Sequence, residues 1–107
     1  MNHVCHEVVV FRAASGVSPQ QLADALANVD ALIRAQPGFI SRTTLHDPDT
    51  QYWIDNIAWD SRSNAMRALE QLNTAPLAAA LFTHLDQASV LMLHGQDVRV
   101  GALSDAV

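Results

Sequence analysis

YWIDNIAWDSRSNAMRALEQL, Tyr52–Leu72, is the stretch that decides the fold. Its first half is rich in aromatic and β-branched residues and reads as the end of a strand running from Gln51 to Trp59. Alternation puts Trp53, Asp55, Ile57 and Trp59 on one face and Tyr52, Ile54, Asn56 and Ala58 on the other. Asp60 or Ser61 then caps a helix whose apolar stripe is Ala65, Met66, Leu69 and Leu72. Nothing separates the two elements. The strand's end and the helix's first turn must pack as one unit, with Trp59 as the anchor.

Working upstream, Phe39–His46 (FISRTTLH) reads as a strand, and Asp47-Pro48-Asp49-Thr50 as a turn. The two strands therefore form an antiparallel hairpin. Ser18-Pro19-Gln20-Gln21 starts a helix: Ser18 caps, Pro19 suits the first position and Gln21 completes a capping box. Leu22, Leu26, Val29 and Ile33 give it one stripe, and Pro37-Gly38 ends it. Glu7–Ala13 (EVVVFRA) is the first strand, with Val8 and Val10 on one face and Val9 and Phe11 on the other.

Downstream, Asn73-Thr74 interrupts the second helix. Pro76 opens a further helical segment to about Leu85, with Leu77, Leu81 and Leu85 four residues apart. Ser89–His94 (SVLMLH) is the fourth strand, and residues 95–107 form an arm whose first part, Gly95–Gly101, can add a short edge strand. The order βαββαβ specifies an α+β chain of the split βαβ, ferredoxin-like kind, an antiparallel sheet with helices on one face. The core spans about residues 7–94. The strands are apolar on both faces, yet the helices cover only one. This implies a homodimer packed sheet on sheet, a contact that can close into a barrel.

At 107 residues the chain is read as one domain. A net charge of −5 and scattered arginines argue against nucleic acid. The absence of lysine removes Schiff-base chemistry and a Lys-dependent phosphate loop. Cys5 is the only cysteine, so no intrachain disulfide forms. MNHVCHEVVV lacks the basic start and long apolar core of a signal peptide, and no run is long enough for a membrane span. A cytoplasmic protein is expected. The spacing of His3, Cys5 and His6 has no matching second cluster, so no metal is expected.

Several residues stand out for chemistry. Asp55 and Asn56 interrupt an apolar strand, and a buried Asp55 needs a partner, for which Arg12 and Arg42 are the candidates. Such a pair either orients a substrate and tunes a base, or is a structural ion pair. Tyr52, Trp53, Trp59 and Phe82 can line an aromatic cavity between sheet and helices. His46 is expected to meet solvent, and His94, ending the fourth strand, to face a cavity mouth. His84 lies near the end of the second helical region.

Pro37-Gly38-Phe39 entering the second strand, and Trp59-x-Ser61 followed by Ala65 and Leu69, carry a resemblance. The His84 region and the closing strand also fit. From Glu7 to His94 the chain resembles the dimeric α+β barrel superfamily, in particular the antibiotic biosynthesis monooxygenase-like domains. The resemblance implies a cofactor-independent monooxygenase acting on a small aromatic or quinol-like substrate in a sheet–helix cavity. Asp55, His84 and His94 are then the candidate bases, and Arg12, Tyr52, Trp53, Asn56 and Phe82 the candidate substrate-binding residues. In haem-degrading relatives a comparable histidine ligates iron, with a tryptophan ten residues earlier and an asparagine on the first strand. Here Thr74 precedes His84 by that spacing, and Glu7–Ala13 holds no asparagine. The alternatives are a non-catalytic dimer that binds a small apolar ligand or serves as an accessory module, or an isomerase or lyase on the same scaffold.

Overall fold

A computed structural model describes residues 3–98. In chain order the elements are β1 (Cys5–Phe11), α1 (Pro19–Asn28), α2 (Asp30–Arg34), β2 (Phe39–His46), β3 (Trp53–Trp59), α3 (Arg62–Asn73), α4 (Pro76–Thr83), a 3-10 turn (Gln87–Ser89) and β4 (Leu91–Gln96). The sheet order is β2-β3-β1-β4, with every neighbouring pair antiparallel. This is the α+β, ferredoxin-like arrangement expected from the sequence. The arm expected over residues 95–107 falls mostly outside the described residues, and Gly95 and Gln96 belong to β4.

The alternation on β3 is as read from the sequence. Trp53, Asp55, Ile57 and Trp59 are buried on the helix-covered face. Trp59 is fully buried and meets Phe39 edge-on, ring centroids 5.9 Å apart. Burying a side chain of this size contributes about 2–3 kcal/mol. Ser61 accepts from the Asn64 N–H at 3.1 Å, so α3 starts where the sequence placed its cap. Ser18 and Gln21 close the capping box that starts α1.

The third strand starts at Trp53 rather than Gln51, the first ends at Phe11 rather than Ala13, and the helix opened by Pro76 ends at Thr83 rather than about Leu85; three further differences bear on the site. The first helix breaks at Val29 into α1 and α2, although no Gly or Pro marks the spot. The stripe survives because its two halves serve two cores. Leu22 and Leu26 pack with Phe11, Trp53 and Leu85, whereas Val29 and Ile33 pack with Ile57, Trp59 and Ala65. The fourth strand runs from Leu91 rather than Ser89, because Asp86 caps the 3-10 turn by accepting from the Ala88 N–H at 3.1 Å. The first strand starts at Cys5 rather than Glu7. The last two shifts place Glu7 and His94 in the interior of paired strands, directly opposite each other.

Gly38 joins α2 to β2 at φ +85°, and its carbonyl accepts from the Asp60 N–H at 2.8 Å. A Cβ on Gly38 would lie 2.4 Å from Asp60 Oδ1 and 2.8 Å from Asn64 Cβ, whereas one on Gly16, at φ +81°, meets nothing. Gly16→Ala is therefore expected to cost about 1 kcal/mol from backbone strain alone, and Gly38→Ala about 3 kcal/mol from strain plus clash. Urea denaturation of the two variants checks this; equal losses would contradict the close approach at the β3–α3 corner.

Candidate functional site

A cavity of about 90 Å³ lies between the helix-covered face of the sheet and the helices. Val9, Phe11, Ile57 and Met92 line it from the strands, and Leu69, Leu72, Leu81 and Phe82 from α3 and α4. Phe82 is 39% exposed and Met92 37%, so the cavity meets the surface at these two side chains. It is smaller than the usual ligand pocket of about 300–1,000 Å³. A single aromatic ring enters only if the flexible Met92 or the half-exposed Phe82 swings aside.

Two carboxylates reach this lining, Asp55 from β3 and Glu7 from β1. Each sits in phase with its strand's buried residues. Asp55 Oδ1 accepts from Arg42 Nε at 2.9 Å and from Thr44 Oγ1 at 3.0 Å, and Oδ2 accepts from Arg42 Nη2 at 2.7 Å. Arg42 Nη1 donates to Asp30 Oδ1 and to the Leu26 carbonyl, both at 3.1 Å. Burial alone would lower the Arg42 guanidinium, but its bonds to Asp55 and then Asp30 outweigh that and hold it above its usual value. Hydrogen bonds from Arg34 first, and from Arg42 as well, outweigh desolvation and keep the Asp30 carboxyl below the ordinary range. Of the two partners offered by the sequence, Asp55 thus takes Arg42.

Glu7 is the residue that sequence reasoning passed over. It is 5% exposed, and its Oε1 lies 3.1 Å from His94 Nε2. Burial pushes the Glu7 carboxyl above the ordinary carboxylate range; the His94 hydrogen bond opposes this, and the Asp55 charge adds to it. The signal was available in EVVVF, where Glu7 shares the phase of Val9 and Phe11. His94 sits inside β4 with a 10% exposed side chain, held against Glu7 rather than standing at a mouth.

The other candidates lie apart. Phe82 lines the cavity. Arg12 stacks over the Tyr52 ring at 4.2 Å, and Tyr52 and Asn56 belong to the opposite sheet face, as the alternation implied. Trp53 is buried next to the Arg42 cluster and stacks on His46 with centroids 4.3 Å apart. His46 is therefore partly buried rather than in solvent, because the ring that ends β2 faces the ring that starts β3. His84 caps the end of α4, its Nδ1 2.8 Å from the Ala80 carbonyl, and borders a shallow groove with Gln21 and Asp24 of α1. Among the described residues no cluster of three or more His, Cys, Asp or Glu is placed to hold a metal, and no helix is long and apolar enough to cross a membrane.

The raised Glu7 fixes a sign. Protonated Glu7 is the better-tolerated form in the fold, so its contribution is fully present below the ordinary carboxylate range. It is lost as pH rises through the raised native value. Glu7→Gln has no such loss. Its stability relative to the parent is expected to grow from pH 4.5 to pH 7.5 in urea titrations; a difference that shrinks with pH would contradict the buried placement.

No protein-family model and no curated protein sequence matches the chain. Solved structures do. A cofactor-independent oxygenase of Streptomyces nogalater, SnoaB, is 25% identical with a TM-score of 0.67, covering 90% of this chain and 92% of that one. A monooxygenase of Streptomyces coelicolor, ActVA-Orf6, solved with nanaomycin D, is 21% identical with a TM-score of 0.71, covering 90% and 88%. A Bordetella bronchiseptica protein with the provisional name of antibiotic biosynthesis monooxygenase is 13% identical with a TM-score of 0.77, covering 91% and 99%. Over nine-tenths of its length the chain thus resembles the antibiotic biosynthesis monooxygenase-domain proteins and shares their α+β fold.

Proposed function

We propose that the chain is a cofactor-independent monooxygenase of a small aromatic, quinol-like substrate, which it binds in the cavity beneath the sheet. The observation that carries this reading is the apolar cavity with buried carboxylates at its wall, on the fold of a cofactor-independent oxygenase. The chemistry needs no external reductant. A quinol with a free ring C–H and O₂ give a hydroxyquinone and water: one oxygen atom enters the ring, the other leaves as water, and the substrate supplies all four electrons. The protein's part is to exclude water, orient the ring and accept a proton so that an electron-rich anion meets oxygen. Of the three residues singled out as bases, His94 is tied to this cavity through Glu7, whose carboxylate lines the wall. Asp55 has both oxygens held by Arg42 and Thr44, and His84 borders a different groove.

Proton transfer without oxygen, as in an isomerase or lyase, suits the same Glu7–His94 pair. Oxygen consumption separates the two. Single-ring quinols under labelled dioxygen are expected to consume one O₂ per quinol and to gain one labelled oxygen. No turnover across the panel, or quinone plus peroxide without label, would contradict the monooxygenase reading.

The working unit in this proposal is a two-fold homodimer. On the uncovered face Leu45, Leu91 and Leu93 are each more than half exposed, and Val8, Val10 and Ile54 lie beside them by register. Such a patch favours a second apolar sheet over water. Sedimentation at micromolar concentration is expected to give a dimer, and Leu93→Glu a monomer; a monomeric parent chain would contradict it.

A further inference from the structure

Fifteen residues line the cavity, and only Glu7 and Asp55 among them are polar. That number decides what a ligand can bond to. Asp55 is spent, since Arg42 and Thr44 occupy both of its oxygens. Glu7 gives Oε1 to His94, and its Oε2 takes no hydrogen bond among the described residues. One carboxylate oxygen is thus the wall's free polar side-chain atom.

We propose that Glu7, steadied by His94, is the catalytic group that takes a proton from the ligand, and that the cavity selects a single aromatic ring that turns one acidic hydroxyl towards it. This deepens the reading of the cavity as the substrate site and rests on it. An ionised carboxylate only accepts, so the ligand must donate. The rest of the wall is apolar, so a further polar group, such as a quinol's second hydroxyl, lies at the opening beside Phe82 and Met92 or is stranded at a cost of about 1–3 kcal/mol. An ammonium would lose more on leaving water. A phenol meets all three conditions. Its O–H bond breaks as Glu7 Oε2–H forms, the electron pair stays on the phenolate, and the charge moves from protein to ring with no change in the cavity's total. Burial, which raises Glu7, makes it a stronger base towards a weakly acidic hydroxyl.

His94 acts through Glu7 and is a positioning residue. The groups that face Glu7 are His94 from β4, Asp55 from β3 with Arg42 behind it, and Cys5 on its own strand. From the helices the cavity presents only apolar side chains, among them Leu69, Leu72 and Leu81.

The test is fluorine NMR titration of the full chain with 4-fluorophenol and with fluorobenzene, which lacks the hydroxyl. The parent chain is expected to prefer the phenol about ten-fold or more, a charge-assisted hydrogen bond's worth. Glu7→Gln is expected to cut that preference below about three-fold while leaving fluorobenzene binding unchanged. His94→Gln, which keeps a donor near Oε1, is expected to retain the preference but to shift the pH midpoint at which it appears. An undiminished preference in Glu7→Gln overturns the proposal. So does tighter binding of benzylamine than of 4-fluorophenol, or no binding of either fluorinated probe to the parent chain. If Glu7→Gln does not fold by circular dichroism, an unshifted midpoint in His94→Gln overturns it instead. The two readings fail separately. A Glu7-dependent phenol preference without oxygen uptake removes the monooxygenase and leaves this assignment; full oxygen uptake by Glu7→Gln does the reverse.

Discussion

Arg42 is a cation with only 4% of its side chain exposed, and the architecture depends on how that charge is met. Its guanidinium reaches Asp55 on β3, Asp30 at the start of α2 and the Leu26 carbonyl in α1. One side chain therefore ties the edge strand β2 to its neighbour and to the helices above. Removing one member of such a buried pair leaves the other charge unpaired, at a cost of about 3–5 kcal/mol. Trp53, stacked on His46, and the Arg42 group line an open groove beside α1, whereas Asp55 also reaches the apolar cavity.

The same constraint divides the labour between the two cavity carboxylates. Each lies on a strand face that packs on helices, where an unpaired charge is costly. Asp55 meets a permanent cation and a hydroxyl and has no oxygen to spare. Glu7 meets an imidazole, which can give up its proton, and keeps one oxygen free. In the proposed function, similar side chains become a fastening and a reactive group because of their neighbours, as carboxylate pairs in enzymes commonly do. The opposite face of the sheet carries none of this chemistry. Its Leu91, Leu93 and Leu45 suit it to covering by another apolar surface, with Arg12 over Tyr52 at its margin.

Much of this was legible in the chain, and the reason is periodicity. The strands, Trp59, Ser61 and the capping box at Ser18 follow from alternation and local capping chemistry. What was hidden depended on contacts far apart in sequence. The break at Val29 has no local marker, because it comes from sharing one stripe between two core clusters. The start of β4 moved because Asp86 competes for the backbone ahead of it. That shift, together with the early start of β1, sets the Glu7–His94 pair, which no single segment could reveal. The choice of Arg42 over Arg12 was closer to hand. Phe11 points inward, so Arg12 points out, whereas Arg42 shares the helix-facing phase of β2 with Thr44 and His46. Of the candidate residues, Asp55 and Phe82 line one cavity and His94 stands behind it; Arg12, Tyr52, Asn56 and His84 lie elsewhere because a sequence lists polar residues without saying which face is roofed.

The central claim is that function resides in the roofed cavity and turns on the free oxygen of Glu7. A crystal structure of the chain grown with 4-fluorophenol tests it most directly. The account predicts the ring packed between Val9, Phe82 and Met92, with its hydroxyl within hydrogen-bond distance of Glu7 Oε2 and Arg42 unmoved on Asp55. A ring seated on the opposite face beside Tyr52 and Asn56, or in the His84 groove, would contradict it.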